Sequence, residues 1–437
     1  MEKILFNTGS VEASPAVQTL DKLIQLSLLT FVAFSMFSIS VTQISFAIGA
    51  LSWLLKVHLT QTWKEMKGTW VGIAILCFCL TGVLAIITSV DLESSIKHQK
   101  KFVQFLIFFW VANTVQDDKQ RDLLVRLLII AGAIASLVGL SPYLVEKFSH
   151  VGRLKGTLSK EATFAGVLML TGLMTLGRGL FHKPREKLSK EATFAGVLTL
   201  TGLMTLGRGL FHKLRENWIF WSLGIICLTL LLTLTRQAWL GFFFGTVFLL
   251  FYWNKKYLFI IPLLFATLLM FSPESIKSRL ISFKNLDDGA LLARTATWKG
   301  GWEIFKDHPV TGCGFKCVDS IYSQYPDPTG YIVELRGMHN NIFQLLVDTG
   351  IVGLGTWLSI WAAFFIEVFK RWKALALEKS QDNAAGILMG VSAAVLAFIV
   401  GGCFESSLYD SEVAMLLYFL MGLSLTTTKN SQRLNSS

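Results

Sequence analysis

Apolar residues form long, nearly uncharged runs over most of this chain. The runs fall near residues 23–37, 40–55, 69–89, 102–115, 123–145, 162–177, 192–207, 217–234, 237–253, 257–272, 350–369, 385–403 and 411–427. Most are close to the ~20 residues that a helix needs to cross a hydrocarbon layer of ~30 Å. Runs this continuous do not fit the ~10-residue alternating strands of a membrane barrel. The pattern therefore predicts an all-α, polytopic transmembrane protein.

The composition agrees with this prediction and excludes other classes of protein. Hydrophobic residues make up 53% of the 437 residues and charged residues only 16%, which excludes a soluble enzyme and a disordered chain. The formal net charge of +11 would suggest nucleic-acid binding in a soluble protein. In a membrane protein such an excess usually lies in cytoplasmic loops, so we expect a lipid bilayer and no nucleic acid as partner.

One apolar segment occurs twice in tandem. Residues 158–183 (LSKEATFAGVLMLTGLMTLGRGLFHK) recur 30 residues later as 188–213, with Met169 replaced by Thr199 as the one difference. Each copy is a marginal span, because only 16 uncharged residues separate its glutamate from its first arginine, whereas a span needs ~20. We expect one copy, in our interpretation the first, to cross the membrane and the other to lie at the cytoplasmic surface.

Basic residues in the short loops predict the orientation. The clusters at 56–67, 119–126, 255–256 and 370–379 are cytoplasmic by the positive-inside rule, whereas the loop at 404–412 has acidic residues and no basic ones. Counting the duplicated segment once gives about 12 spans with both termini inside. The one long polar interruption of the apolar pattern then faces the outside.

This topology divides the chain into five parts. We expect a cytoplasmic tail at 1–22 and a transmembrane bundle that includes the duplication at 23–272. An external loop domain at 273–349, C-terminal transmembrane helices at 350–427 and a second cytoplasmic tail at 428–437 should follow. Long loops in compact proteins are usually functional, so the loop domain is where we expect chemistry.

Four polar features lie where the apolar runs meet external loops, and polar groups near membrane depth are usually functional. Arg236 is a lone cation between two apolar runs, and Arg153 lies in an outer loop before another. Arg294 precedes a Trp-rich amphipathic segment at 298–305, which we expect to lie in the membrane interface. His339 stands just before a helical run and is a candidate base. Each also has an alternative without chemistry: a snorkelling or solvated arginine, an aromatic anchor, or a structural histidine.

Three elements of the sequence, in this order, resemble the O-antigen ligase family. They are RLKGT at 153–157, TLTRQAWLG at 233–241, and DHPVTGCGF at 307–315 followed by HNN at 339–341. By this resemblance His339 takes the place of the catalytic histidine and Arg236 that of the essential arginine at the membrane edge. Arg294 then matches the loop arginine, with Arg153 as a further arginine that binds substrate. The duplicated segment is a departure from the family pattern.

The resemblance implies an inverting glycosyltransferase of the cell inner membrane that works at the periplasmic face. The donor would be a glycan on undecaprenyl diphosphate and the acceptor the lipid A-core, in lipopolysaccharide biosynthesis. His339 would take the proton from the acceptor hydroxyl, and the arginines would bind the diphosphate, whose oxygens match guanidinium groups bidentately. No cofactor and no metal is expected.

Three alternatives remain open. An O-antigen polymerase would use another lipid-linked repeat as acceptor, and a protein O-oligosaccharyltransferase would use a protein hydroxyl. A solute transporter belongs to a different class and predicts broken helices with paired charges at mid-membrane.

Cys313 and Cys317 are the one polar-flanked pair of cysteines, and they lie in the predicted external loop. A disulfide would suit an oxidising compartment. We nevertheless favour two free thiols, because so small a ring needs a narrow Cα separation.

Overall fold

The computed structural model of this protein describes residues 14–65, 68–145, 154–181, 218–259, 289–325, 329–331, 335–377 and 382–426, with short pieces between 261 and 278. Helices are the only regular secondary structure within these ranges, which confirms the predicted all-α class.

The helices are listed here in chain order: α1 Pro15–Phe34, α2 Ile39–Thr60, α3 Trp70–Ile87, α4 Leu92–Gln99, α5 Leu106–Thr114, α6 Asp118–Val145, α7 Glu161–Phe181, α8 Trp218–Leu232, α9 Arg236–Trp253, α10 Gly289–Asp307, α11 Val318–Ile321, α12 Asn341–Leu377, α13 Asp382–Gly401 and α14 Ser411–Ser424. Short 3₁₀ helices lie at Thr62–Glu65, Lys100–Phe105, Lys255–Phe259, Tyr322–Gln324 and Ser407–Tyr409.

Seven of these helices, α1, α2, α3, α6, α7, α12 and α13, are long and apolar enough to cross a membrane. The chain is therefore a multi-pass membrane protein. Two further apolar helices, α8 and α14, are shorter. The predicted number of about 12 spans stays a prediction, because residues 182–217 and most of 260–288 lie outside the described ranges.

The first helix begins earlier than the apolar pattern predicted. α1 starts at Pro15, within the segment assigned to a cytoplasmic tail at 1–22, and the Ser14 side chain accepts a hydrogen bond from Val17 N–H at 3.4 Å. Proline at the first helical position and serine before it are favourable at a helix start. Asp21, in this first part of α1, pairs with Lys56 of α2, so its charge is compensated within the bundle.

Contacts between distant parts of the chain gather at two ends of the helix bundle. We call one the loop end, where residues 88–105, 308–325 and 402–410 meet. There Val90 N–H donates to Cys313 O at 3.0 Å. At the opposite end the rings of Phe181 and Tyr252 each approach Trp372, with centroids 5.7 and 6.3 Å away. The loop end is where the predicted site residues should be sought.

The first copy of the duplicated segment forms α7, which is surrounded by protein. Every residue from Thr163 to Arg178 is buried. α7 packs closely on α13, since a Cβ on Gly177 would lie 2.3 Å from the Cα of Gly390. Arg178 pairs with Asp122 of α6 at the opposite end. A short apolar length is tolerated because neighbouring helices, rather than lipid, cover this helix and its arginine.

The second copy, 188–213, lies outside the described residues, but the helices on either side of it meet at one end. A Cβ on Gly179, near the end of α7, would lie 3.2 Å from the Phe220 ring, near the start of α8. The end of α7 and the start of α8 therefore both lie at the opposite end of the bundle.

We expect deletion of residues 184–213 to leave insertion and orientation unchanged, because α7 keeps its own sequence and the second copy is not expected to cross the membrane. The matched deletion of 158–187 would place Thr199 where Met169 now packs against Gly241. It should insert equally but lose about 2 kcal/mol of stability, as buried Met truncations do. Cysteine labelling at Lys373 and thermal unfolding measure the two effects. Reversed labelling in the chain lacking 184–213 would contradict the expectation that the second copy does not cross the membrane.

The loop between α10 and α11 contains a disulfide. Cys313 and Cys317 are joined, with Cα atoms 5.8 Å apart, so the prediction of free thiols was wrong. That separation lies within the ~4.4–6.8 Å that disulfides need. Two left-handed positions between them, Gly314 (φ 100°) and Lys316 (φ 61°), fold the chain back far enough to reach it.

We expect alkylation without a reductant to leave Cys313 and Cys317 unmodified in the folded, purified protein. After reduction and unfolding, both should be alkylated, and peptide mass spectrometry distinguishes the two states. Cys403, half-buried and free, is the internal control for reagent access. Two alkylated cysteines in the unreduced and unfolded sample would show that no bridge forms.

Candidate active site

His339 lies at the turn before α12, at the loop end of the bundle. Its backbone is left-handed, with φ 45°, a conformation that costs roughly 1 kcal/mol or more for a residue other than glycine. The next residue, Asn340, caps the helix, since its Oδ1 accepts from the N–H groups of Ile342 and Phe343 at 2.8 and 3.2 Å. Capping of this kind fixes where the helix starts. The turn thus holds His339 in a strained position, as is common at functional sites.

The imidazole of His339 contacts the carboxylate of Glu405, in the loop between α13 and α14. Nδ1 and Oε1 are 3.0 Å apart, and the two side chains are 33% and 28% exposed. When Nδ1–H donates to the carboxylate, the lone pair of a neutral imidazole is on Nε2. Among the described residues, no protein group is hydrogen-bonded to Nε2. This nitrogen can therefore accept a proton from a bound molecule.

The charge state of Glu405 follows from its surroundings. Burial acts to raise its pKa, but the hydrogen bond from His339, the charges of His339 and Arg294 and the Ser406 N–H act against it, and the net pKa is lowered. Glu405 is therefore a carboxylate at neutral pH. A carboxylate at Nδ1 stabilises the imidazolium that forms when Nε2 takes up a proton.

Arg294 acts on Glu405 from α10, and α9, whose first residue is Arg236, begins close to the same carboxylate. Arg294 is half-buried on α10, and its charge acts on Glu405. Arg236 is the first residue of α9, and the side chain of the next residue, Gln237, reaches Glu405 Oε2 from Nε2 at 3.4 Å. The first turn of α9 is thus placed at Glu405. Its helix dipole adds positive potential there, which favours a bound anion.

The turn before Arg236 is held by its own contacts. Leu234 has a left-handed backbone, with φ 52°, and Trp239 Nε1 donates to Leu230 O at 3.0 Å across the turn. Thr233 Oγ1 donates to the same carbonyl at 2.7 Å. A second strained residue therefore stands beside a second predicted site residue.

The Trp-rich segment lies in a helix, α10, which ends at Asp307. Trp298 stacks on Phe343 with 4° between the rings, and its Nε1 donates to Met338 O at 2.7 Å. This ring therefore supports the residue before His339, and the placement of the segment in the membrane interface stays a prediction. Trp302 is 47% exposed.

The structure brings three of the four predicted residues, His339, Arg236 and Arg294, to the surroundings of Glu405. Arg153 lies outside the described residues. Glu405 was not among the predicted site residues, because in the sequence it is only one acidic residue of the 404–412 loop. The pair is 66 residues apart, and no local pattern marks such a contact. Within the described ranges, no group of three or more His, Cys, Asp or Glu residues is placed to hold a metal ion.

This arrangement combines a base whose proton acceptor is accessible with the charge of Arg294 and with the start of α9, where Arg236 is the first residue. Such a combination can deprotonate a hydroxyl while stabilising an anion that develops on a second bound group. Guanidinium groups suit phosphate oxygens in particular, since they bind in a bidentate way and keep their charge.

Comparison with known proteins agrees with this geometry. No curated protein matches the chain. Residues 221–358 match the family model described as O-antigen ligase, and this range contains Arg236, Arg294 and His339. Glu405 lies beyond the matched range. Over residues 221–358 the chain is therefore similar to the O-antigen ligase family, as its motifs indicated.

Proposed function

We propose that this protein transfers a glycan from undecaprenyl diphosphate to the lipid A-core of lipopolysaccharide. It acts at the periplasmic face of the inner membrane, with the loop end of the bundle facing outward. The observation that carries the proposal is the 3.0 Å contact of His339 Nδ1 with Glu405, beside Arg294. Both His339 and Arg294 lie in the part of the chain that matches the O-antigen ligase model.

In this mechanism, Nε2 of His339 takes the proton from the acceptor hydroxyl. The acceptor oxygen attacks the anomeric carbon from the side opposite the diphosphate, and the bond from that carbon to the diphosphate oxygen breaks. The new glycosidic bond has inverted configuration. Glu405 stabilises the imidazolium, which then returns its proton to water.

The leaving group is an undecaprenyl diphosphate that gains negative charge as its bond to the sugar breaks. Arg236, Arg294 and Arg153 bind this diphosphate, and the start of α9 adds its dipole. Fixed donors in a partly dehydrated site stabilise developing charge more than water does.

The position of the site favours an enzyme over a transporter. His339 and Glu405 lie in turns outside the helices, and Arg236 is the first residue of α9. Transport would require paired charges at mid-membrane on broken helices. The functional residues lie instead at one end of the bundle, where a lipid-linked diphosphate at the membrane surface would meet them.

The proposal is tested by incubating purified protein with a lipid-linked glycan and each acceptor separately. We expect transfer to lipid A-core, detected as a mobility shift of the acceptor. Growth of the lipid-linked chain without that transfer would indicate a polymerase instead of a ligase. Modification of a protein acceptor alone would indicate an O-oligosaccharyltransferase, and no transfer to any acceptor would contradict the enzyme class.

We expect transfer to continue in the presence of EDTA, because arginines rather than a metal stabilise the leaving group in this mechanism. Rates with and without chelator should agree within about twofold, far less than the 10² or more expected from loss of a Lewis acid that stabilises the transition state. Loss of transfer that magnesium or manganese restores would overturn this part of the mechanism.

A further inference from the structure

The two asparagines after His339 both bind the loop that carries Glu405. Asn340 Nδ2 donates to Cys403 O at 2.8 Å. Asn341 N–H donates to Gly402 O at 2.7 Å. These bonds connect the start of α12 to the first residues of the loop between α13 and α14.

The side chain of Asn341 binds the other end of the same loop. Oδ1 accepts from Leu408 N–H at 3.0 Å, and Nδ2 donates to Ser407 Oγ at 3.3 Å. Asn341 is only 1% exposed, so these partners are not exchanged with water. One residue thus spans the loop from Gly402 to Leu408, with Glu405 at its middle.

The close approach of the loop to Asn341 depends on a glycine. A Cβ on Gly402 would lie 2.2 Å from Asn341 Nδ2, too close for any other residue without a shift. The loop and the amide are therefore fitted to each other.

A second link joins the loop to the residue before His339. The hydroxyl of Tyr409 donates to the buried carboxylate of Asp348. Gln344 Nε2 donates to both oxygens of that carboxylate at 3.1 Å, and Gln344 Oε1 accepts from Met338 N–H at 3.1 Å. This chain of bonds runs from the end of the loop to the turn that holds His339.

We propose that Asn341 is a positioning residue of the active site, which holds the loop 402–408 so that Glu405 meets Nδ1 of His339. The His339–Glu405 contact requires two turns, 66 residues apart in sequence, to keep one relative position. Asn341 is the residue that bonds to both ends of the second turn. A displacement of about 1 Å can cost ~10²-fold in rate, so this placement matters to catalysis.

The test compares Asn341→Ala with Glu405→Gln in the full-length purified protein. Its first readout is the pH dependence of transfer, and it rests on the proposed function. The second is the pH dependence of His339 modification by diethyl pyrocarbonate, resolved by peptide mass spectrometry, which needs no activity. If the proposed function is wrong, only the first readout is lost, because the second does not require transfer.

We expect Asn341→Ala to lower kcat by roughly 10- to 100-fold, with the donor KM within about twofold. In both readouts the acidic limb, the part of the profile where the signal falls at low pH, should move to lower pH. We expect the same for Glu405→Gln, because a protonated imidazole is less favoured without its carboxylate. Arg294 and Arg236, the cations on the helices around the pair, remain in every variant.

Two further variants keep the test decisive. Tyr409→Phe keeps the ring packing, removes only the hydroxyl at Asp348, and should shift both limbs in the same direction by a smaller amount. Asn113→Ala, at the opposite end, removes an amide bonded within its own helix and should shift neither. If folded Asn341→Ala and Tyr409→Phe kept the wild-type limbs while Glu405→Gln shifted them, the positioning role would be excluded.

Discussion

We expect His339→Ala to abolish glycan transfer while the protein still inserts at normal levels. Loss of a general base typically costs 10²–10⁴ in rate, and here it also leaves Glu405 without its imidazole partner. The measurement is single-turnover transfer by purified protein, normalised to the amount that elutes as a folded species. His98→Ala is the matched control, because His98 also lies at the loop end and bonds within its own helix. Near-normal turnover by His339→Ala would rule out the base assignment.

Arg236→Lys should lose transfer nearly as completely as Arg236→Ala, by about 10² or more. An ammonium keeps the charge, but it cannot reproduce the bidentate fork of a guanidinium on a diphosphate. Arg126→Lys is the control: Arg126 is 55% exposed, pairs with Asp122 at the opposite end, and should tolerate the change. Initial rates over a range of donor concentrations separate binding from chemistry. Near-normal transfer by Arg236→Lys would show that Arg236 acts only through its positive charge.

The helices could be predicted well because membrane crossing is a local property of sequence. The run at 385–403 became α13, Asp382–Gly401, within three residues at each end. α7 shows the limit of that reasoning. Its 16 uncharged residues read as marginal because hydropathy assumes lipid around a helix, whereas α7 has protein on nearly every side.

The site residues divide along the same line. His339, Arg236 and Arg294 stand in short motifs, so their types and neighbours suggested them. Glu405 and Asn341 make contacts across 66 residues, and although Asn341 stands in the HNN motif, neither segment indicates its partner.

The prediction of free thiols at Cys313 and Cys317 failed for a related reason. An amphipathic pattern likewise does not show which residue packs on Trp298, which is Phe343. Spacing alone cannot give the left-handed positions at Gly314 and Lys316 that bring Cys313 to its partner.

The proposed function requires an active site on the outer face of the membrane, and cysteine accessibility shows which face carries it. Ser320 is exposed at the loop end, and Lys373 is exposed at the opposite end, near the end of α12. Single cysteines at these positions, in a cysteine-free background, are treated with an impermeant reagent in intact cells whose outer membrane admits it. We predict labelling of Ser320→Cys and protection of Lys373→Cys until the inner membrane is opened. Labelling of Lys373→Cys with protection of Ser320→Cys would place His339 in the cytoplasm and contradict the account.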